Sequence, residues 1–308
     1  MLRRVGARLA PMIFALMASA PNAALACACG CAVFDVGTSS LLPTGPGGTA
    51  FLEYDFLDQT KNWSGDSRAP AANNDDKNIR TNFFLAGGQY MFNESWGAMA
   101  EVPYTDRHFV TDDGGTLETF NHSALGDIRL MGVYSGLSPD MSTGVTFGVK
   151  LPTGDHTYAN FDPDTEIGSG STDLLLGGYH SGQIGATSDF VWYVQTLWQR
   201  RLATQGGYRP GSEFNSAVGV SYNNWSIGSD AGIAPIVQVI YSHRGHDGGF
   251  AGDPDNTGYD RAIVAPGMAL TVHDWKLYAD AEIPVAQHMT GNQLVAPVAF
   301  KVILSRSF

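Results

Sequence analysis

Phe51–Leu57 reads FLEYDFL. In an extended chain successive side chains point to opposite faces. Leu52, Tyr54 and Phe56 therefore share one face, and Glu53 and Asp55 the other. The same period of two returns along the chain. WGAMAEVPY (Trp96–Tyr104) sets Trp96, Ala98, Ala100, Val102 and Tyr104 against Met99 and Glu101. GDIRLMGVY (Gly126–Tyr134) sets Ile128, Leu130 and Tyr134 against Asp127 and Arg129. FVWYVQTLWQ (Phe190–Gln199) sets Phe190, Trp192, Val194 and Trp198 against Tyr193, Gln195 and Gln199. WKLYADAEIPV (Trp275–Val285) sets Leu277, Ala279, Ala281, Ile283 and Val285 against Lys276, Asp280 and Glu282. Period two with one apolar face marks a half-buried strand. Helix signals are nearly absent.

Two architectures use such strands. In a soluble sandwich the apolar face is the core; in a membrane barrel it faces lipid and the polar face lines the lumen. Strand length favours the barrel, since a tilted membrane strand needs about ten residues and sandwich strands centre near five or six. Strands are expected at 49–58, 79–92, 96–106, 125–135, 142–152, 171–182, 189–202, 213–223, 225–243, 259–272, 275–287 and 293–308. Their connections alternate. The links 59–78, 107–124, 153–170, 203–212, 244–258 and 288–292 are mostly long, whereas those near 93, 136, 183, 224 and 273 are short. Short turns on one side, long loops on the other and an even strand number form the outer-membrane pattern. Aromatics fit two interfacial girdles. Tyr90, Phe92, Trp96, Tyr222, Trp225 and Trp275 lie at short turns, and Tyr104, Phe109, Tyr158, Tyr208, Tyr241 and Tyr259 near long loops. The chain ends AFKVILSRSF, with Phe300, Val302, Leu304 and Phe308 on one face. This resembles the signal read by the barrel-assembly machinery, although Arg306 stands on the same face. The expected fold is all-β: an antiparallel transmembrane β-barrel of about 12 strands, with short periplasmic turns and long extracellular loops.

The ends of the chain agree with export. Arg3, Arg4 and Arg8 precede an apolar run, Leu9–Ala20, too short to span a bilayer as a helix. Ala24–Ala26 fits a small-x-small cleavage pattern. Residues 1–26 read as a Sec-type signal peptide cleaved near Ala26, 27–48 as a periplasmic cysteine-containing segment and 49–308 as a barrel in a Gram-negative outer membrane. The signal holds three of the 18 basic residues and none of the 30 acids, so the remainder carries 15 against 30, or −15. A chain this acidic is no nucleic-acid binder, because phosphate contacts require clustered Lys and Arg. The expected partners are the bilayer with its lipopolysaccharide, and a small solute. Charged residues are only 16 % of the chain, below the roughly 25 % of a soluble domain.

Two segments, ALGDIRLMGVY (Ala124–Tyr134) and TFGVKLPTGD (Thr146–Asp155), resemble the outer-membrane proteins grouped as the MetA pathway of phenol degradation, often labelled "transporter". The likeness is strongest over residues 124–180. It implies a barrel that passes small hydrophobic or aromatic organic solutes. In LPTGD, Pro152 lacks an N–H and Gly154 permits a positive φ, so the strand is expected to stop and turn there.

The inward parity collects Glu53, Asp55, Arg80, Glu101, Asp127, Arg129, Lys150, Asp173, Gln195, Asp230, Lys276, Asp280, Glu282 and Lys301. Charges of both signs line a hydrated pore or fill the lumen as a network. Asp127 and Lys150 are expected to pair across neighbouring strands. No nucleophile–base constellation or Gly-x-Ser-x-Gly motif occurs, so an enzyme is not expected and no cofactor is required. A second reading concerns metal. Cys27, Cys29 and Cys31 in ACACGC are the only cysteines. They lack the Cys-x-x-Cys-His pattern of haem attachment and offer three thiolates to a soft metal ion. Lipidation of Cys27 and a disulfide are the alternatives. Asp253, Asp255 and Asp260 around Gly258, and Asp162, Asp164 and Glu166, offer oxygen ligands to calcium. His243, His246 and Asp247 in HRGHD are a weaker zinc or copper candidate.

Overall fold

The computed structural model describes residues 42, 43, 45–185, 189–228 and 230–308. The expected signal peptide and the cysteines lie outside the described residues. Twelve antiparallel strands close into one barrel, and no α-helix is present among the described residues. They are β1 (Gly47–Gln59), β2 (Asp76–Met91), β3 (Trp96–Asp113), β4 (Thr116–Leu125 continued by Arg129–Tyr134), β5 (Thr143–Lys150) and β6 (Ser171–Ile184). The circuit continues with β7 (Phe190–Thr204), β8 (Glu213–Tyr222 continued by Trp225–Ile227), β9 (Ala231–Arg244), β10 (Tyr259–Val272), β11 (Trp275–Val295) and β12 (Ala299–Ser307). β1 pairs with β12 from Thr49–Ser307 to Leu57–Ala299, so the sheet has no free edge along the barrel wall.

Alternation decides what each face meets. Phe51, Glu53, Asp55 and Leu57 are buried inside the barrel, whereas Leu52 is 61 % exposed on the outer surface. The outer face of the other strands is likewise apolar, with Phe84, Val102, Leu130, Phe147, Leu176, Val218, Val237, Val239 and Phe300 exposed. A continuous apolar band outside a closed barrel has its physical counterpart in lipid. At the short-turn end this band finishes in aromatics: Trp96 lies 4.7 Å from Tyr134 and Phe190 lies 4.9 Å from Tyr222. Arg306 stays on the outer face there, its guanidinium 5.3 Å from the centre of the Trp275 ring.

The lumen is packed. Phe51 (β1), Leu85 (β2), Tyr193 (β7), Ile236 (β9), Ala269 (β10), Tyr278 (β11) and Ile303 (β12) form one buried group. Met131, Leu175, Leu197, Ala217, Ile240, Ile263 and Ala265 form another. These strands occupy opposite walls, so their side chains meet across the interior. Leu42, just before β1, packs against the first group and against Met91, Val133 and Met141 at the periplasmic mouth.

The structure corrects several expectations. Residues 107–124 are not a loop: β3 and β4 run on as a hairpin turned at Gly114 and Gly115, with φ of +61° and +94°. Asn224 is not the turn expected there, because Trp225–Ile227 completes β8 and pairs back on Ala231–Ile233. Asp230 is therefore an exposed turn residue, not a lumen group. Arg80 also points outward, being one residue out of phase with buried Ile79 and Thr81. β11 continues to Val295 instead of ending at 287. Of the expected upper girdle, Tyr104 and Tyr241 face outward, whereas Phe109 and Tyr259 are buried inside by the same parity rule.

Candidate functional site

The strand β4 breaks at Gly126–Ile128, and that break holds the loop 153–170 in place. Asp127 projects inward from it. Its Oδ1 accepts the Gly154 N–H at 3.0 Å, and its Oδ2 accepts the Ser169 N–H at 2.9 Å and the Ser169 hydroxyl at 2.5 Å. The Ile128 N–H donates to Thr153 Oγ1 at 2.9 Å, and the Leu151 N–H to the Ile128 carbonyl at 2.8 Å. One carboxylate thus ties both ends of the loop to the barrel wall. The expected role of Gly154 changes accordingly. It is not among the residues of positive φ; a Cβ there would sit 2.7 Å from Gly168 Cα and 2.8 Å from the Gly126 carbonyl carbon. Glycine is required because three backbones cross, not because a turn is left-handed. Lys150 joins the clasp, 2.8 Å from Asp173, 3.5 Å from Asp127 and donating to Ser169 Oγ at 2.7 Å.

From this clasp the loop lies across the extracellular mouth. Phe161 is buried against Ile79, Phe109 and Leu294, its ring edge-on to Phe109 at 5.6 Å. Tyr158 stacks on His122 at 4.1 Å, and His122 Nε2 lies 2.8 Å from Asp155 Oδ2. Arg107, buried on β3, donates to the Thr165 carbonyl and to the Glu166 carbonyl. Burial first, and Asp155 second, push the Glu166 carboxyl up to about 8. Burial and then Asp253 raise Asp162. The roof is therefore pinned by one arginine while carrying acids whose ionisation it disfavours.

Below the roof is a cavity of about 150 Å³. Phe83, Leu85 and Pro103 border it from the wall, Ile167 and Glu166 from the loop, and Arg107, Arg129 and Lys150 from the inward polar parity. Arg244 closes another side, held by both oxygens of Asp247 at 2.8 and 2.9 Å and donating to Tyr208 Oη at 3.0 Å.

The expected lumen residues divide into two groups. Glu101, Asp127, Arg129 and Lys150 come together on β3, β4 and β5, with Arg129 3.8 Å from Glu101. Glu53, Asp55, Asp280 and Glu282 lie buried on β1 and β11, with Lys301 of β12 between those strands, 3.0 Å from Glu53 and 3.4 Å from Asp55. Lys276 occupies the same inward parity, paired in register with Ser305 nearer the periplasmic end. Between these groups Tyr193 donates to Gln238 Oε1, and Gln238 Nε2 donates to Tyr278 Oη at 3.1 Å and Asp280 Oδ2 at 3.0 Å. This polar chain spans the packed interior from β7 to β11.

The acidic and histidine loops are employed elsewhere. Asp253 accepts the Asp255 N–H at 3.1 Å and the Asn256 amide at 2.8 Å, while Asp260 accepts from Tyr241 at 2.6 Å and meets His243 at 2.9 Å. His246 Nδ1 lies 2.8 Å from the Thr257 carbonyl, and Asp247 holds Arg244. No group of three or more His, Cys, Asp or Glu is placed to hold a metal ion among the described residues. The expected calcium set Asp253, Asp255 and Asp260 is thus not brought together: Asp260 is out of phase with buried Tyr259 and Arg261 and bonds to Tyr241 and His243 instead. Arg107, Ser169, Gln238 and Arg244 were not read as site residues from sequence. Arg107 lies in an expected loop, and nothing local marks Ser169, whose partners Asp127 and Lys150 stand 42 and 19 residues back.

No protein-family model matches the chain, and no curated protein matches it in sequence. Solved structures do match. An outer membrane channel from Pseudomonas putida F1 superposes with a TM-score of 0.64 at 12 % identity, covering 89 % of this chain and all (100 %) of that one. The β domain of the Bordetella autotransporter BrkA gives 0.52 at 11 % identity, covering 85 % of this chain and 100 % of its own. Both likenesses are of fold: the chain shares the architecture of outer-membrane β-barrels.

Proposed function

We propose that the chain is an outer-membrane channel for small organic solutes, akin to the MetA-pathway transporters that its Gly126–Asp127 and Leu151–Asp155 motifs resemble. The observation that carries this reading is the roofed cavity inside a closed barrel whose outer face is apolar. A barrel built only as an anchor has no need of a clasped loop over a chamber. The outer membrane, with lipopolysaccharide around the aromatic ends and delivery by the barrel-assembly machinery, is the setting this reading implies. The described interior is crossed by side chains, so passage requires displacement of the Tyr193–Gln238–Tyr278 layer or of the roof. Planar-bilayer recording and liposome swelling on the refolded chain test the proposal. The expected outcome is a small conductance that rises in Tyr193→Ala. Absence of conductance and solute uptake in both proteins rejects the channel.

A further inference from the structure

Arg306 is a charge on a face that otherwise meets lipid. Register sets it on one rung of the outer wall, between Trp275 of β11 and Ala50 of β1. Its guanidinium rests on the Trp275 ring, and no carboxylate pairs with it among the described residues. Asp274, the acid beside Trp275, meets β12 through its carbonyl, which accepts the Ser307 N–H at 2.9 Å. Close to the membrane–water boundary an outward arginine costs little, and its planar fork matches a phosphate.

The same rung runs on from Ala50 to Gly88 of β2, Ala100 of β3 and Leu130 of β4. Ala98 stands on the next rung towards the short turns, opposite Tyr90. The outward positions Ala50, Gly88, Ala98 and Ala100 thus carry no side chain longer than a methyl. Larger exposed groups stand around them, Leu52 and Val102 towards the middle of the wall and Tyr90 and Phe308 at the short-turn end. Gly48 lets the Phe308 ring lie against the wall, since a Cβ there would run into it. The result is a groove of about 500 Å³ on the outer surface, within the size range of ligand sites. A hollow in an apolar surface forfeits dispersion contacts unless something of matching width fills it, and in a bilayer that filler is an acyl chain.

We propose that this groove is a phospholipid-binding site in the periplasmic leaflet, with one acyl chain along Ala50, Gly88 and Ala100 and the phosphate on Arg306. Trp275 and Tyr90 mark the headgroup level, so the cation sits where a phosphate lies and the groove where its chain begins. A basic residue beside an apolar hollow at this depth selects a headgroup from the bulk bilayer. The site also accounts for a charge that interrupts the alternating apolar run Phe300, Val302 and Leu304. It needs a membrane barrel but not an open one, so it stands apart from the channel reading.

The test is native mass spectrometry of the full chain in detergent, titrated with phosphatidylglycerol, with a diacylglycerol of the same chains and with glycerol phosphate. Phosphatidylglycerol is expected to saturate at a single copy. The other two lack the phosphate or the chains and are expected to bind more weakly by about tenfold or more. Arg306→Gln is expected to weaken phosphatidylglycerol by a similar factor, and Arg306→Lys to restore part of it. Gly88→Leu is expected to fill the groove and weaken binding as much, without strain in the wall, because a Cβ there meets nothing closer than the Thr49 carbonyl oxygen at 3.8 Å. Equal binding of diacylglycerol or glycerol phosphate overturns the proposal, as does unchanged affinity in a folded Arg306→Gln protein. Lipid uptake that never saturates marks annular lipid only and overturns it too. Should the arginine variant fail to assemble, the ranking of the three probes and the Gly88→Leu protein decide. The two readings fail separately. A non-conducting barrel that retains phosphatidylglycerol keeps the site and loses the channel; a conducting barrel without lipid selectivity keeps the channel and loses the site.

Discussion

At the scale of single residues, Asp127 does the work that the barrel wall cannot. A strand offers its own N–H groups to neighbours, but a loop of 18 residues laid over a lumen must find partners elsewhere, and a buried N–H left unpaired costs about 1–3 kcal/mol. Asp127 takes two such N–H groups and one hydroxyl, from Gly154 and Ser169. Asp127→Ala is expected to release the loop while leaving the barrel folded. Hydrogen-exchange protection at 153–170 should fall by tenfold or more on the order of 1.4 kcal/mol per decade, with β7–β10 unchanged; equal protection in both proteins rejects the clasp. The sequence marked Asp127 and Gly154 as a motif, and the pairing of Asp127 with Lys150 was legible from parity. That they hold a loop was not, because Ser169 and Gly168 reach them only after the chain has doubled back.

At the scale of elements, the lipid-facing strands and the roof obey different rules. β9 places Val237 near its centre and 52 % exposed on the outer band. Val237→Arg should cost about 2–4 kcal/mol if that band lies in a bilayer, as measured by reversible unfolding in vesicles; a cost near zero argues against a midplane position. The roof is governed by titration. Glu166 binds a proton in the docked loop up to about 8 but, once released to water, only up to its ordinary value of 4.5. The folded form holds more protons over that interval, so docking weakens as pH rises from 4.5 towards 8 and stays weak above it. Protection factors at 153–170, corrected for intrinsic exchange, should fall between pH 5 and pH 9, and fall less in Glu166→Gln. A fall of the same size in the variant assigns the effect to another group. Element boundaries show the limits of periodicity. Twelve strands are expected from the sequence, six of them on explicit alternation, yet the hairpin 107–124 reads as a loop because its polar outer half projects beyond the apolar band and loses the contrast that alternation depends on.

At the scale of the whole molecule, the sequence by itself determined the closed barrel, its strand number and which face meets lipid. Those follow from a period of two, from alternating connection lengths and from the cost of unpaired backbone in a membrane, all of which are local or additive. The conductance expected of the refolded chain is a property of a different kind, because it depends on what fills the interior. Parity told which side chains enter the lumen but not whether they meet. Tyr193 and Gln238 come from β7 and β9, Tyr278 and Asp280 from β11, and Phe51 from β1, and only closure of the sheet brings them within contact. The same closure sets Leu85, Pro103 and Arg129 around one chamber and lowers the loop 153–170 onto it. The tertiary structure decided these matters because a barrel's width and shear, not the order of its residues, fix which opposite walls are close enough to touch.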